Sequence, residues 1–225
     1  MRHATRYSFR QIRGVGFLTI FVGVTLSLIY AAAGQSQAPT LERPPTRSVG
    51  DTFTYHDTDN GGATLVRTYI GQKDGLNCYS EKATNGQQSE ACFTPDGSLV
   101  SRVGTWKPGG CTPNCAWYSF PLFVGKQWNV SYATTAKAGV HQDHPIRSYV
   151  ARVVSYEKVT VPAGTFRTFK IQVHDAGWGE RGGQDNTNYY SPDLGMMIKL
   201  DQTKIPGHYF EHLELIGYGR AKPDA

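Results

Sequence analysis

Between Tyr149 and Val173 the chain runs out as Tyr149-Val150-Ala151-Arg152-Val153-Val154-Ser155-Tyr156 and on to Val159-Thr160-Val161. It breaks at Pro162-Ala163-Gly164 and returns as Thr165-Phe166-Arg167-Thr168-Phe169-Lys170-Ile171-Gln172-Val173. Phe169, Ile171 and Val173 alternate with Lys170 and Gln172, the period-two pattern of a strand with one dry and one wet face. The two runs predict a long β-hairpin. A third strand, ending in Tyr189-Tyr190-Ser191, turns at Pro192-Asp193-Leu194-Gly195 into Met196-Met197-Ile198-Lys199-Leu200. The stretch explains an architecture and holds no recognisable reacting group.

The same pattern extends to the rest of the chain. From Val49 onward, short β runs are predicted at Thr52–His56, Thr64–Ile70, Leu76–Ala83, Ser89–Phe93, Ser98–Val103, Trp117–Phe120 and Gln127–Ala133. Beyond the hairpin they continue at Asn188–Ser191, Met196–Leu200 and Tyr209–Tyr218. Between them stand turn-forming clusters such as Asp59-Asn60-Gly61-Gly62, Lys73-Asp74-Gly75, Asn85-Gly86 and Pro108-Gly109-Gly110. The connections are too short for crossover helices, so pairing must be antiparallel. The fold class is all-β.

An internal echo sharpens this. Val49-Gly50-Asp51-Thr52-Phe53 resembles Val124-Gly125-Lys126-Gln127-Trp128, and Thr94-Pro95-Asp96-Gly97-Ser98 resembles Ser191-Pro192-Asp193-Leu194-Gly195. Two similar meanders, residues 49–103 and 124–200, would form an antiparallel curved sheet or incomplete barrel of about eight to ten strands. The strand at 209–218 and a tail at 219–225 follow. Together 49–218 reads as a single β domain of ordinary size.

The first 33 residues read as a targeting segment rather than part of that domain. Arg2, Arg6, Arg10 and Arg13 precede an apolar run from Val15 to Ile29, and Ala31-Ala32-Ala33 offers small residues, the layout of a cleaved signal peptide. Cleavage would follow Ala33 or Ala38. The apolar run of 15 residues is short for a membrane helix, which needs roughly 20. Residues 34–48 read as a flexible tether. Four of the 23 Lys and Arg and none of the 18 Asp and Glu lie before residue 34, leaving 19 against 18. The basic balance belongs to the targeting segment, and the remainder has no basic run of the kind a nucleic-acid binder needs. A periplasmic or secreted location is expected, with no membrane span in the mature chain.

Four cysteines fit an oxidising compartment. Cys78 and Cys92 flank Asn85, and the hairpin register decides whether they meet. A two-residue Asn85-Gly86 turn places Cys78 opposite Phe93; a three-residue Thr84-Asn85-Gly86 loop with Gly86 left-handed places it opposite Cys92. The second register and a Cys78–Cys92 bond are expected. Cys111 and Cys115 would close a small local loop. Redox chemistry and zinc are the competing readings, weakened by a three-residue spacing and by the absence of ligand-pair spacing at 78 and 92.

No constellation points firmly to catalysis. His141-Gln142-Asp143-His144 could supply metal ligands, as could His208 and His212, but no recognised metal motif accompanies them. His174-Asp175 lacks a nucleophile elbow. Glu180, Asp185, Glu211 and Glu214 have no spacing that fixes the separation glycoside hydrolysis requires. Aromatic residues are plentiful, and Trp178 with Tyr189 and Tyr190 flanks the Gly177–Gly183 loop, a candidate lining for a ligand cavity.

Three stretches resemble a group of exported bacterial β proteins forming a domain family of unknown function. They are Phe120-Pro121-Leu122-Phe123-Val124-Gly125-Lys126-Gln127-Trp128, Val159-Thr160-Val161-Pro162-Ala163-Gly164-Thr165-Phe166, and Tyr190-Ser191-Pro192-Asp193-Leu194-Gly195. The resemblance covers roughly residues 118–218 and departs from the pattern at Met196-Met197. It implies an envelope or secreted location and carries no catalytic residue. A similarity to the open half-barrels that carry lipoproteins in the periplasm is architectural only. The expectation is an exported, non-enzymatic envelope protein acting by binding or scaffolding, without a cofactor. Its partner would be an envelope protein or a hydrophobic small molecule. The alternatives are a carrier of a lipid or other hydrophobic ligand, and a hydrolase or metal protein using the His141–His144 loop.

Overall fold

The structure, a computed structural model, describes residues 38–58, 61–135, 146–175, 184–202 and 212–221. The basic and apolar amino terminus, His141 to His144, Trp178 and its glycine-rich loop, Glu180, His208 and Glu211 lie outside the described residues. Twelve strands occur among the described residues: β1 (Thr52–Asp57), β2 (Ala63–Lys73), β3 (Leu76–Ala83), β4 (Gln88–Phe93), β5 (Leu99–Gly104) and β6 (Gly109–Thr112). They are followed by β7 (Gln127–Thr135), β8 (Ile146–Val161), β9 (Gly164–Asp175), β10 (Gln184–Ser191), β11 (Met196–Gln202) and β12 (His212–Gly219). Each pairs antiparallel with its sequence neighbours, and β1 pairs with β12. The sheet therefore closes into a barrel and leaves no open edge.

The two halves are built alike. β1 to β5 and β7 to β11 are five-strand meanders, and β6 and β12 follow each as closing strands, which takes the count to twelve rather than about eight to ten. Gly50 and Gly125 both adopt positive φ just before β1 and β7, at 92° and 93°. Register shifts fall between the second and third strands of each half, at Tyr69/Gly71 and Val153/Ser155. They recur between the fourth and fifth, at Cys92/Phe93 and Tyr189/Tyr190. Bulges at matching places bend each half the same way, which helps two short meanders curve into one barrel.

The expected strand at Trp117–Phe120 is not a strand. Its place in the ladder is taken by β6, whose Gly109-Gly110 was expected to be a turn. Close approach explains the glycine: a Cβ on Gly110 would lie 2.1 Å from the carbonyl oxygen of Val100. Residues 113–122 instead run across inward-facing side chains, where Pro113 and Pro121 have no N–H to give a ladder. Their amides find other acceptors, Cys115 N on Leu99 O at 2.8 Å and Tyr118 N on Ser98 Oγ at 3.3 Å. Tyr118 and Leu122 pack on Val130, Ala151, Val153, Phe169 and Ile171 from β7 to β9.

The barrel is apolar within and polar without. Along β9, Phe169, Ile171 and Val173 are buried while Gln172 and His174 are exposed, and along β8 Arg152 and Lys158 face outward. Burying each such Phe, Ile or Val stabilises the fold by roughly 1.5–3 kcal/mol. Trp106, only 1% exposed, fills one end among Tyr55, Leu65, Leu200 and Leu213. A barrel of eight strands is about filled by its own side chains, so twelve leave a lumen that needs additional occupants. Residues 113–122 supply one of them. The expected tether supplies another: Leu41 exchanges two 2.8 Å backbone hydrogen bonds with Leu122, so residues 41–47 are docked on the barrel.

Asp51 fastens the β1–β12 seam. Its carboxylate accepts from Ala221 N at 2.9 Å, Arg220 Nη1 at 2.9 Å and Ser48 N at 3.2 Å. Burial pushes this carboxyl up, but the Ala221 and Ser48 amides and the Arg220 guanidinium together outweigh it and hold it below its ordinary value. A depressed folded-state pKa means stabilisation that is full above the unfolded value of about 3.9 and is lost as pH falls through the folded one. Asp51→Asn is therefore expected to cost about 1–3 kcal/mol at neutral pH. It should also flatten the decline of thermal midpoint below pH 4, as followed by circular dichroism.

Candidate ligand-binding cavity

A cavity of about 610 Å³ opens at the end of the barrel remote from Trp106. It falls in the range of roughly 300–1,000 Å³ typical of small-molecule sites. One wall is aromatic and arises from strand periodicity. Tyr69 on β2, Tyr79 on β3 and Phe93 on β4 are buried inward positions with ring centroids 5.2 and 5.5 Å apart in sequence along the wall. The row continues to Trp117, 6.3 Å from Phe93, on the segment that crosses the lumen. Tyr118 and Tyr190, 4.9 Å apart, form the next part, and Met196 and Met197 complete an adaptable apolar edge.

Another part of the wall is the docked segment Arg43-Pro44-Pro45-Thr46-Arg47. Arg47 donates to the carbonyl oxygens of Leu194 and Gly195, and its guanidinium lies 5.0 Å from the Phe53 ring centroid and 5.7 Å from that of Tyr79. Such cation–π contacts hold a planar cation against an aromatic wall. Gly195 is required by this contact. Its φ is 63°, and a Cβ there would stand 2.6 Å from Pro45.

Charge is unevenly balanced within the lumen. Arg67 and Glu81 are cross-strand partners on β2 and β3, with Arg67 Nη2 2.7 Å and Nε 2.8 Å from Glu81 Oε1. Arg102 Nε on β5 lies 2.8 Å from Glu81 Oε2, an ion pair without the alignment of a hydrogen bond. Arg67 also stacks over Phe93 at 5.1 Å and Tyr55 at 5.5 Å. Glu81 is fully buried, and burial raises its carboxyl, yet Arg67 and Arg102 more than offset this and hold it below its ordinary value. One carboxylate thus serves two guanidinium groups, while Arg47 makes no ion pair among the described residues. Asp96 lines the cavity as well, its carboxyl raised by burial against the opposing pull of Lys126.

Burial also raises the phenols of this region: Tyr55 to about 12, and Tyr118 and Tyr190 further upward. They remain protonated donors at neutral pH. Tyr55 donates to Met197 O at 2.8 Å. Tyr190, 2% exposed, has a hydroxyl with no hydrogen-bond partner among the described residues.

The sequence-derived candidates are distributed as follows. Tyr190 lines the cavity; Tyr189 does not, and carries Lys170 Nζ 5.7 Å from its ring centroid. His174 and Asp185 are cross-strand neighbours with Nδ1 and Oδ1 2.6 Å apart, both well exposed, a surface pair that contributes little. Glu214 pairs with Lys199 at 3.0 Å across β11 and β12. Cys78 and Cys92 face each other in the three-residue-loop register and are bonded, as are Cys111 and Cys115. Glu90 lies close enough to Cys78 and Cys92 to suggest a metal triad, but sulfurs joined to each other are not thiolate ligands.

Arg47, Arg67 and Glu81 were not anticipated. For Arg67 and Glu81 a signal existed, since each falls in the buried phase of its strand, between Leu65 and Tyr69 and between Tyr79 and Ala83. Arg47 had none, because its stretch carries no periodicity.

No family model matches the chain, and no curated protein matches it. Among solved structures, the chain is similar to a "putative lipoprotein" from Parabacteroides distasonis at 12% identity, with 80% of this chain and 99% of that one covered and a TM-score of 0.42. It is also similar to a "putative exported protein with YmcC-like fold" from Bacteroides fragilis at 14% identity, covering 81% and 100%, with a TM-score of 0.40. At these scores the likeness carries no argument about what this chain does.

Proposed function

We propose that this protein is an exported, non-enzymatic binding protein of the cell envelope, and that it holds a small, largely apolar molecule in the mouth of its barrel. The observation that carries the reading is the cavity of about 610 Å³ lined by two sets of packed rings, Tyr69, Tyr79, Phe93 and Trp117, and Tyr118 with Tyr190. Aromatic rings in a concave site offer large apolar area at little conformational cost. Export is supported by the basic and then apolar amino terminus and by cysteines that are all paired. The reading shifts weight from scaffolding to ligand carriage, because the strap at residues 43–47 gives the mouth a wall that scaffolding would not need.

Native mass spectrometry of protein purified without detergent from an oxidising host, followed by organic extraction, tests this. A discrete extra mass recovered as an amphiphile is the expected result. A bare chain mass, together with failure of an apolar fluorophore to quench Trp117, overturns it. A Trp117→Phe variant identifies which part of the emission belongs to the cavity.

A further inference from the structure

The ligand reading leaves open what chemistry the cavity selects, and three features of the cavity point the same way. Among the described residues its wall includes Arg43, Arg47 and Arg67 against the carboxyl of Asp96, with Glu81 behind Arg67 already shared between two guanidinium groups. Arg47 is partly buried, pressed on the Phe53 and Tyr79 rings, and satisfied by two carbonyl oxygens rather than by a carboxylate. A partly buried cation held by dipoles, with no counter-ion among the described residues, attracts an anion more strongly than a fully exposed one does. Tyr190 contributes an independent signal. Its side chain is buried in the cavity wall, and its hydroxyl is unpartnered, a costly state for a buried donor unless something else accepts from it. Arg47 and Tyr190 line the same cavity.

From these features we infer that the cavity takes an anionic amphiphile, a molecule with one carboxylate or phosphate head and an apolar body. The head sits at the Arg47 guanidinium and reaches the covered Tyr190 hydroxyl as Arg47 leaves the Leu194 and Gly195 carbonyls, and the body lies along Tyr79, Phe93, Trp117 and Met196. The inference rests on the ligand-binding function proposed above and adds the charge of the ligand and the two groups that read it. It also assigns the strap a selective role. Arg47 is carried on a segment outside the strand ladders, so an anion can draw it away from the Leu194 and Gly195 carbonyls without breaking the barrel. The arrangement differs from a purely apolar carrier site, in which a buried guanidinium would only oppose binding.

The test uses matched fluorescent probes, 11-(dansylamino)undecanoic acid and its methyl ester, titrated into the disulfide-intact protein. The acid is expected to bind at least about tenfold more tightly than the ester, a difference of about 1.4 kcal/mol. Arg47→Gln should lower affinity for the acid about tenfold and weaken the ester much less, Arg47→Lys should keep most of the preference, and Tyr190→Phe should weaken the acid more than the ester. Circular dichroism checks that each variant keeps its barrel. Equal binding of acid and ester, or equal weakening of both by Arg47→Gln, overturns the inference while leaving the apolar carrier intact. Failure of both probes to bind overturns the carrier reading as well. Competition by dodecanoate alone assigns the head to a free fatty acid, and competition by lysophosphatidylglycerol alone assigns it to a lipid phosphate. Equal competition by a cationic surfactant of the same chain length counts against an anion site altogether.

Discussion

Glu81→Ala is expected to destabilise the protein by about 3–5 kcal/mol, enough to unfold a marginal domain, because it leaves two guanidinium groups in a lumen without their counter-ion. Arg67 is 7% exposed, donates a hydrogen bond from Nε to Glu81 Oε1 and brings Nη2 within 2.7 Å of the same oxygen, and Arg102 pairs with the other oxygen. Removing the carboxylate therefore leaves two guanidinium groups largely buried and without their counter-ion. The triad is not thereby the origin of the stability of the fold. Desolvation of buried ions offsets much of their attraction, and replacing all three with apolar side chains of similar volume is expected to be near neutral or even stabilising. Urea denaturation of Glu81→Ala beside Arg67→Met/Glu81→Leu/Arg102→Met separates the two effects. A single variant as stable as the parent would show that water enters the lumen and solvates the arginines. The acid limb provides a second readout. The Glu81 carboxyl is held below its ordinary value, so its contribution is full above the unfolded value of about 4.3 and disappears as pH falls through the folded one.

Replacing Cys78 and Cys92 together by alanine is expected to lower stability by about 3 kcal/mol, the chain-entropy value for a 15-residue loop. The corresponding change at Cys111 and Cys115, which closes a far shorter loop, should cost about 2 kcal/mol by the same argument. The first bond also bears on the cavity, because Tyr79 and Phe93 directly follow the two cysteines in sequence and are opposed rings 5.5 Å apart. Loss of the bond should therefore loosen the aromatic wall as well as lower the denaturation midpoint. Equal midpoints for the two double variants would show that local packing, and not loop entropy, sets the difference.

The cavity was less legible than the barrel. Tyr190 could be nominated because, with Tyr189 and Trp178, it flanks the glycine-rich Gly177–Gly183 loop, and aromatic residues beside such a loop can line a cavity mouth. Tyr189, nominated on the same ground, does not line the cavity, since adjacent residues of a strand point to opposite faces and a bulge between them resets the register. Trp117 and Tyr118 have the composition of a strand yet belong to a crossing segment. An aromatic run next to turn residues has the same composition in either state, and only the partners available to its amides decide between them.

Alternation of side chains, which is local, determined much by sequence alone. It predicts the antiparallel all-β class and the hairpin at Pro162-Ala163-Gly164, and the pairing of cysteines selects the three-residue loop that brings Cys78 opposite Cys92. Closure of the barrel through β1 and β12, the exchange of Trp117–Phe120 for Gly109–Thr112 in the ladder, and the docking of residues 41–47 were decided only by tertiary structure. Each depends on groups distant in sequence meeting at a particular separation: Asp51 with Ala221, Gly110 against Val100, and Arg47 against Leu194 and Gly195. A period of two states which face a side chain takes, but it contains no information about how wide the lumen will be or which distant segment will fill it.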